Sequence, residues 1–188
     1  MRFAISALLV FLLFPFGSTF ADPPQKKIAD MTPVERGKYL TIISGCNDCH
    51  TPKTYNEKGM QLDMTRELSG HPAQTKLPDL PSNLIGPGKW TTITMDLTAW
   101  YGPWGVSFTR NLTPEVETGL GSWTEDMFIK AIRTGKHMGA ADGRDILPPM
   151  PWQMYAQMTD EDLKAVWAYL RTIKPIKNPI PEPIPPSK

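Results

Sequence analysis

Cysteine and histidine are scarce in this chain of 188 residues, which has two of the first and three of the second. Both cysteines lie within one short stretch, so no long loop is closed by a disulfide, and a bridge across two intervening residues would be strained. A structural zinc site usually takes four ligands, and His71 and His137 bring no further cysteine with them. A charge of one sign is lacking too. Twenty Lys and Arg stand against 19 Asp and Glu, for a net charge of +1. No long run of either sign occurs, which argues against nucleic acid or an anionic membrane surface as partner. Long apolar runs are missing except at the start, from Phe3 to Phe16. Proline, by contrast, is plentiful at 20 residues.

The apolar run comes after Met1-Arg2 and leads into Gly17-Ser18-Thr19-Phe20-Ala21. One positive charge, a short apolar core and small residues at Thr19 and Ala21 make residues 1–21 a signal peptide, with cleavage expected after Ala21 and export to the periplasm. The run is too short for a comfortable span, and Pro15 and Gly17 interrupt the helix an uncleaved anchor would need. No cysteine directly follows it, so no lipoprotein anchor is expected, and no membrane span is expected in the mature chain.

The two cysteines stand in Cys46-Asn47-Asp48-Cys49-His50. On one turn of helix, two thiols three positions apart reach the two vinyl groups on one haem edge and form thioethers. His50 then offers a neutral imidazole to the iron. A thioredoxin-like redox pair would want a strand before the motif and a helix starting at the first cysteine, whereas a helical pattern ends there. The expected cofactor is a single covalent haem c.

In the mature chain, residues 22–31 read as an exposed lead-in. Thr32-Pro33 with Glu35 marks a helix start, and the helix runs to about Ser44 with Val34, Tyr39, Leu40 and Ile43 as its apolar stripe. Gly45 breaks it. From Thr51-Pro52 to about Pro103 the chain is irregular and rich in Pro and Gly, except that Thr92 to Ala99 alternates polar and apolar residues as a strand does. With Val106 and Phe108 it predicts a small β-hairpin turning near Tyr101 to Gly105. Trp90, Trp100, Tyr101 and Trp104 are expected to form the small core of this insertion, and His71 to be structural or exposed. Two further helices begin after Thr124 and Thr159. The first has Met127, Phe128, Ala131 and Ile132 on its buried side and ends at Gly135; the second has Leu163, Val166, Trp167 and Leu170 and ends before Pro175. Residues 175–188 form an extended, proline-rich tail. The haem domain thus occupies 22–174, with an insertion at about 54–108.

An iron held by one imidazole has a second axial position. Met150, in Leu147-Pro148-Pro149-Met150-Pro151-Trp152, sits on a loop that its prolines stiffen, so its thioether has little entropy left to lose on binding metal. It is the candidate axial ligand opposite His50, with Met138, Met154 and an open position as rivals.

After the motif at 46–50 come Asn111-Leu112-Thr113-Pro114, Thr118-Gly119-Leu120-Gly121, Trp123 and Arg133-Thr134-Gly135. Pro148-Pro149-Met150-Pro151-Trp152, Met158-Thr159-Asp160-Glu161-Asp162-Leu163 and Ala168-Tyr169-Leu170-Arg171 complete the set. In this order, over residues 33 to 174, the chain resembles a class I c-type cytochrome, similar to the monohaem cytochrome c domains and subunits associated with bacterial periplasmic dehydrogenases. The resemblance implies a mainly α fold of three or more helices around one haem, with the first and last helices crossing near one haem edge, and His50 and Met150 as iron ligands. The chain departs from the short members between about 54 and 108.

The function implied is that of a single-electron carrier rather than an enzyme, with Cys46, Cys49, His50 and Met150 as the cofactor-binding set and Arg110 or Arg133 beside a haem propionate. Its redox partners would be a dehydrogenase and a terminal oxidase or another cytochrome. The alternatives are a haem enzyme or gas-binding protein with an open sixth position, and an interaction module built on the proline-rich segments. The intact mass of the exported protein is expected to lack residues 1–21; a mass that retains them identifies an anchor.

Overall fold

The computed structural model describes residues 27–186 apart from 80, 81 and 87; the signal-peptide reading of residues 1–21 lies outside the described residues. Among these are five α-helices, the short α4 being Trp152–Tyr155, and two small sheets. No helix among them is long and apolar enough to cross a membrane.

Helix α1, Pro33–Ile43, starts with a capping box: the Thr32 hydroxyl accepts from the Glu35 amide and the Glu35 carboxylate accepts from the Thr32 amide at 2.8 Å. This satisfies two of the amides that a helix start leaves without partners. Its partner is the last helix, α5, Asp160–Leu170, capped by Thr159 and opened by three acidic residues that suit the helix dipole. The two pack closely at Gly37, where a Cβ would overlap the Ala165 carbonyl and lie 2.8 Å from Tyr169 Cβ. Arg36 Nε meets Asp162 Oδ1 at 3.0 Å at the rim of this contact. The apolar stripe of α1 is therefore only partly its buried side. Leu40 is buried with Gly37 and Thr41, whereas Val34, Tyr39 and Ile43 are exposed. Helices that approach this closely need small residues at the contact, and an apolar count does not find them.

Helix α3, Glu125–Thr134, is capped by Thr124 and ended by Gly135 in the left-handed conformation. It buries Phe128 and Ala131, with Ile132 beside them. Phe128 packs on Trp167 of α5 with ring centroids 5.5 Å apart. Leu163, Val166, Trp167 and Leu170 are all buried. Val166, Trp167 and Leu170 form one core with Leu40, Leu68 and Leu120.

The insertion is more regular than its composition suggests. Strands β1, Lys53–Asn56, and β2, Gly59–Leu62, make an antiparallel hairpin that the sequence pattern does not announce. A hairpin turns where expected, but its first strand is β4, Ala99–Gly102, rather than Thr92 to Ala99; its second is β5, Gly105–Phe108, and β3, Thr92–Ile93, lies on the outer edge of β4. Thr92 to Ala99 is not one strand. Asp96 accepts from the Thr98 amide and hydroxyl, Leu97 takes φ 60°, and the chain turns back so that Thr94 N meets Ala99 O at 3.0 Å. A short carboxylate that bonds backbone two residues on makes a turn, and it overrides the period-two pattern. The aromatic cluster divides: Trp100, Tyr101 and Trp104 are half-buried, but Trp90 is 73% exposed and belongs to no core.

The proline-rich C-terminal segment runs extended over this insertion. Ile184 exchanges both backbone hydrogen bonds with Val106, Ile180 joins the small core of Ala99, Val106 and Phe108, and Asn178 donates to the Ser69 and His71 carbonyls at 2.8 Å each. Replacing Gly37 by Ala is expected to cost at least ~2 kcal/mol by forcing α1 and α5 apart, read as a lower urea midpoint; an unchanged midpoint would contradict the close crossing.

Candidate functional site

Gly45, at φ 68°, turns the chain between α1 and a one-turn helix α2, Cys46–His50. A helix therefore does begin at Cys46, a feature the redox-pair alternative shares, but no strand leads into it. Cys46, Cys49 and His50 all line one cavity of about 590 Å³. The walls facing them come from Phe108 and Arg110 at and after the end of β5, from Leu120 and Phe128 in the helical core, and from the loop at 146–151. Pro179, Ile180 and Glu182 of the C-terminal segment close a further side.

His50 is buried, and its Nδ1 lies 2.7 Å from the Arg110 carbonyl oxygen. A carbonyl only accepts, so Nδ1 carries the hydrogen and Nε2 keeps a free lone pair. Burial pushes the imidazole pKa down, the Arg110 carbonyl opposes this, and the Lys53 ammonium adds to it. The ring is a neutral donor of fixed tautomer, as a metal ligand must be.

The thiols are free. Burial pushes Cys46 up to about 11, and burial also raises Cys49 against the acidifying Lys53. A thiol–disulfide pair needs a lowered thiol pKa, so the electrostatics run against that use. Among the described residues no three His, Cys, Asp or Glu side chains gather into a metal-binding group.

Met150 lines the same cavity, half-buried, with its amide 3.3 Å from the Leu147 carbonyl. Of its rivals, Met138 lines the cavity from a turn at φ 57°, whereas Met154 is 72% exposed and is not part of the wall. The two arginines separate as well. Arg133 is held by the Ala156 carbonyl and Asp160, away from the cavity. Arg110 lines it and meets Glu182 at 3.5 Å. Arg144, which sequence reasoning misses, is a second cation on the wall, 3.9 Å from the same carboxylate. Nothing in its local Asp142-Gly143-Arg144-Asp145 setting marks it out; the backbone pairing of His137 with Arg144 brings it there.

His71 lies outside the site. It is 1% exposed, with Nδ1 2.7 Å from the Thr98 hydroxyl and its ring against Phe108. Taken together, two thiols on one helical turn, a neutral imidazole with a free Nε2, a thioether and two guanidinium groups surround one largely apolar space. This donor set fits a covalently held haem.

No family model matches the chain. It is 29% identical over 180 residues to the fructose dehydrogenase cytochrome subunit of Gluconobacter japonicus, a match that covers 94% of this chain and 29% of that one. It is 26% identical over 173 residues to the cytochrome c subunit of the quinone alcohol dehydrogenase of Gluconobacter oxydans, covering 92% and 27%. Against the gluconate 2-dehydrogenase cytochrome c subunit of Pantoea cypripedii it is 30% identical over 136 residues, covering 72% and 22%. The chain thus spans less than a third of the length of these relatives.

The neutral state of His71 has a consequence for stability. Burial holds its pKa below the ordinary 6.5, with Asp96 opposing. As pH falls through 6.5 the unfolded chain takes up a proton that the folded chain refuses, so stability declines on the acid side. Lowering the pH from 7.5 to 5.5 is therefore expected to make the protein less stable through this histidine. Urea midpoints of the protein and of His71→Gln at the two pH values check it; an equal loss in both would contradict it.

Proposed function

Since this chain is homologous to cytochrome c subunits of bacterial dehydrogenases, we propose that it is a periplasmic single-electron carrier with one covalent haem c. The observation that carries the proposal is the convergence of Cys46, Cys49, His50 and Met150 on a single cavity. A bound haem supplies an iron that accepts and returns one electron at a time.

In this reading Cys46 and Cys49 would hold the group by thioethers, and His50 Nε2 and the Met150 sulfur would bind its iron. The His50 hydrogen bond to Arg110 fixes the ring and raises its basicity as a ligand. Thioether ligation and burial both favour the ferrous state and so a comparatively high potential. Phe108, Leu120 and Phe128 give the space apolar walls that would keep water from a bound group. Arg110 and Arg144, which line the cavity, would neutralise haem carboxylates.

The relatives are named as subunits of fructose, alcohol and gluconate dehydrogenases. By analogy a dehydrogenase is the donor, and a terminal oxidase or a further cytochrome the acceptor.

The reduced protein is expected to be low-spin and six-coordinate, with a sulfur-to-iron band in the oxidised form and no carbon monoxide binding at rest. Met150→Ala is expected to abolish the band and lower the potential sharply, while Met138→Ala leaves both unchanged. The reverse pattern moves the ligand to Met138, and carbon monoxide binding by the unaltered protein would support a gas-binding haem protein instead.

A further inference from the structure

Lysine is rarely buried without partners, because a desolvated ammonium is costly. Lys53 is only 9% exposed. It opens β1, three residues after the attachment motif, and turns back beneath it. Its Nζ donates to the Asp48 carbonyl and, at 2.8 Å, to the Thr51 carbonyl.

The backbone accounting around α2 shows what this does. A one-turn helix leaves its last carbonyls without intrahelical partners. The Asn47 carbonyl takes the Thr51 amide at 3.2 Å, and the His50 carbonyl takes the Gly70 amide at 2.7 Å. The carbonyl of Asp48, between the two cysteines, is met by a side chain from outside the helix, and that side chain is charged. Lys53 therefore ties the insertion to the turn that carries both thiols and the imidazole.

Its charge is part of the same arrangement. The Lys53 cation acts on Cys49 and His50, which it acidifies. Burial pushes the Lys53 ammonium down, and Cys49, then the carboxylates of Asp96, in the β3–β4 turn, and of Asp48 oppose it. Asp96 is itself anchored by the Thr98 amide and hydroxyl, and that hydroxyl accepts from His71.

We propose that Lys53 is a positioning residue for the haem-bearing turn and a fixed buried cation that raises the reduction potential of the site, with Asp96 as its counter-charge. This rests on the electron-carrier reading. A positive charge in a poorly screened position disfavours the ferric over the ferrous state. The insertion then has a function in the redox chemistry: Lys53 at its start brings a positive charge to the back of the attachment motif, and Asp96 acts on that charge.

The experiment compares the midpoint potentials of the haem-loaded protein and of Lys53→Met, Lys53→Arg and Asp96→Asn. Lys53→Met is expected to shift the reduction equilibrium roughly tenfold toward the oxidised form, ~59 mV for one electron. Lys53→Arg retains the charge and is expected to stay within about twofold of the unaltered protein. Asp96→Asn, which removes the negative partner, is expected to shift the equilibrium the opposite way. A purely structural role does not give shifts of opposite sign. An unchanged potential in Lys53→Met, or an equal fall in Lys53→Arg, overturns the proposal. Should Lys53→Met fail to mature, the sign of the Asp96→Asn shift decides alone, a rise supporting the proposal and any other result overturning it. If the unaltered protein binds haem and Met150→Ala lowers its potential while these variants behave otherwise, only the role of Lys53 fails; if the unaltered protein lacks haem, the electron-carrier reading fails first.

Discussion

The hydrogen bond from His50 Nδ1 to the Arg110 carbonyl, across sixty residues of sequence, is the constraint on which the site depends. A buried imidazole has two tautomers and a free torsion, and one carbonyl acceptor selects among them. Once Nδ1 is committed, Nε2 is the only nitrogen left for a ligand bond. That carbonyl must itself be held. Thr109, its neighbour, accepts from the His71 amide and donates to the Thr98 carbonyl. The insertion thus fixes the acceptor, while α1 and Gly45 present the donor.

Two bodies of structure meet at the cavity. One is a helical core around the close crossing of α1 and α5, which holds the attachment turn from behind. The other is a frame of short strands closed by the C-terminal segment. That segment has few amide donors because it is rich in proline, and it docks through those that remain, among them the Ile176 amide on Thr113, the Asn178 amide on Thr118 and the Ile184 amide on Val106, with the Asn178 side chain beside them. Extended proline-rich chain loses little entropy on docking, which suits it to line a wall.

The parts of this arrangement legible in the sequence are those with local causes. Helix caps at Thr32, Thr124 and Thr159 depend on residues three positions apart, and the attachment motif is a spacing of three. Both are read directly. The α1 stripe misleads because Gly37 packs by lacking a side chain, which no apolar pattern records. The alternation from Thr92 to Ala99 misleads because Asp96 makes a turn whose effect outweighs it. Arg144 and Lys53 do not stand out in the sequence: each owes its place to a short-range backbone pairing, Arg144 with His137 and Lys53 with Leu62, that no residue pattern announces. The choice between Arg110 and Arg133 likewise needs the structure, since only the former reaches the cavity wall.

The proposed haem would be joined covalently to Cys46 and Cys49. Peptide mass spectrometry of acid-denatured protein, produced in a host able to mature such cytochromes, tests it most directly. The fragment spanning Cys46 to His50 is expected to carry the mass of one haem, with neither thiol open to alkylation. The same fragment at its bare peptide mass, with both thiols alkylated, would contradict it.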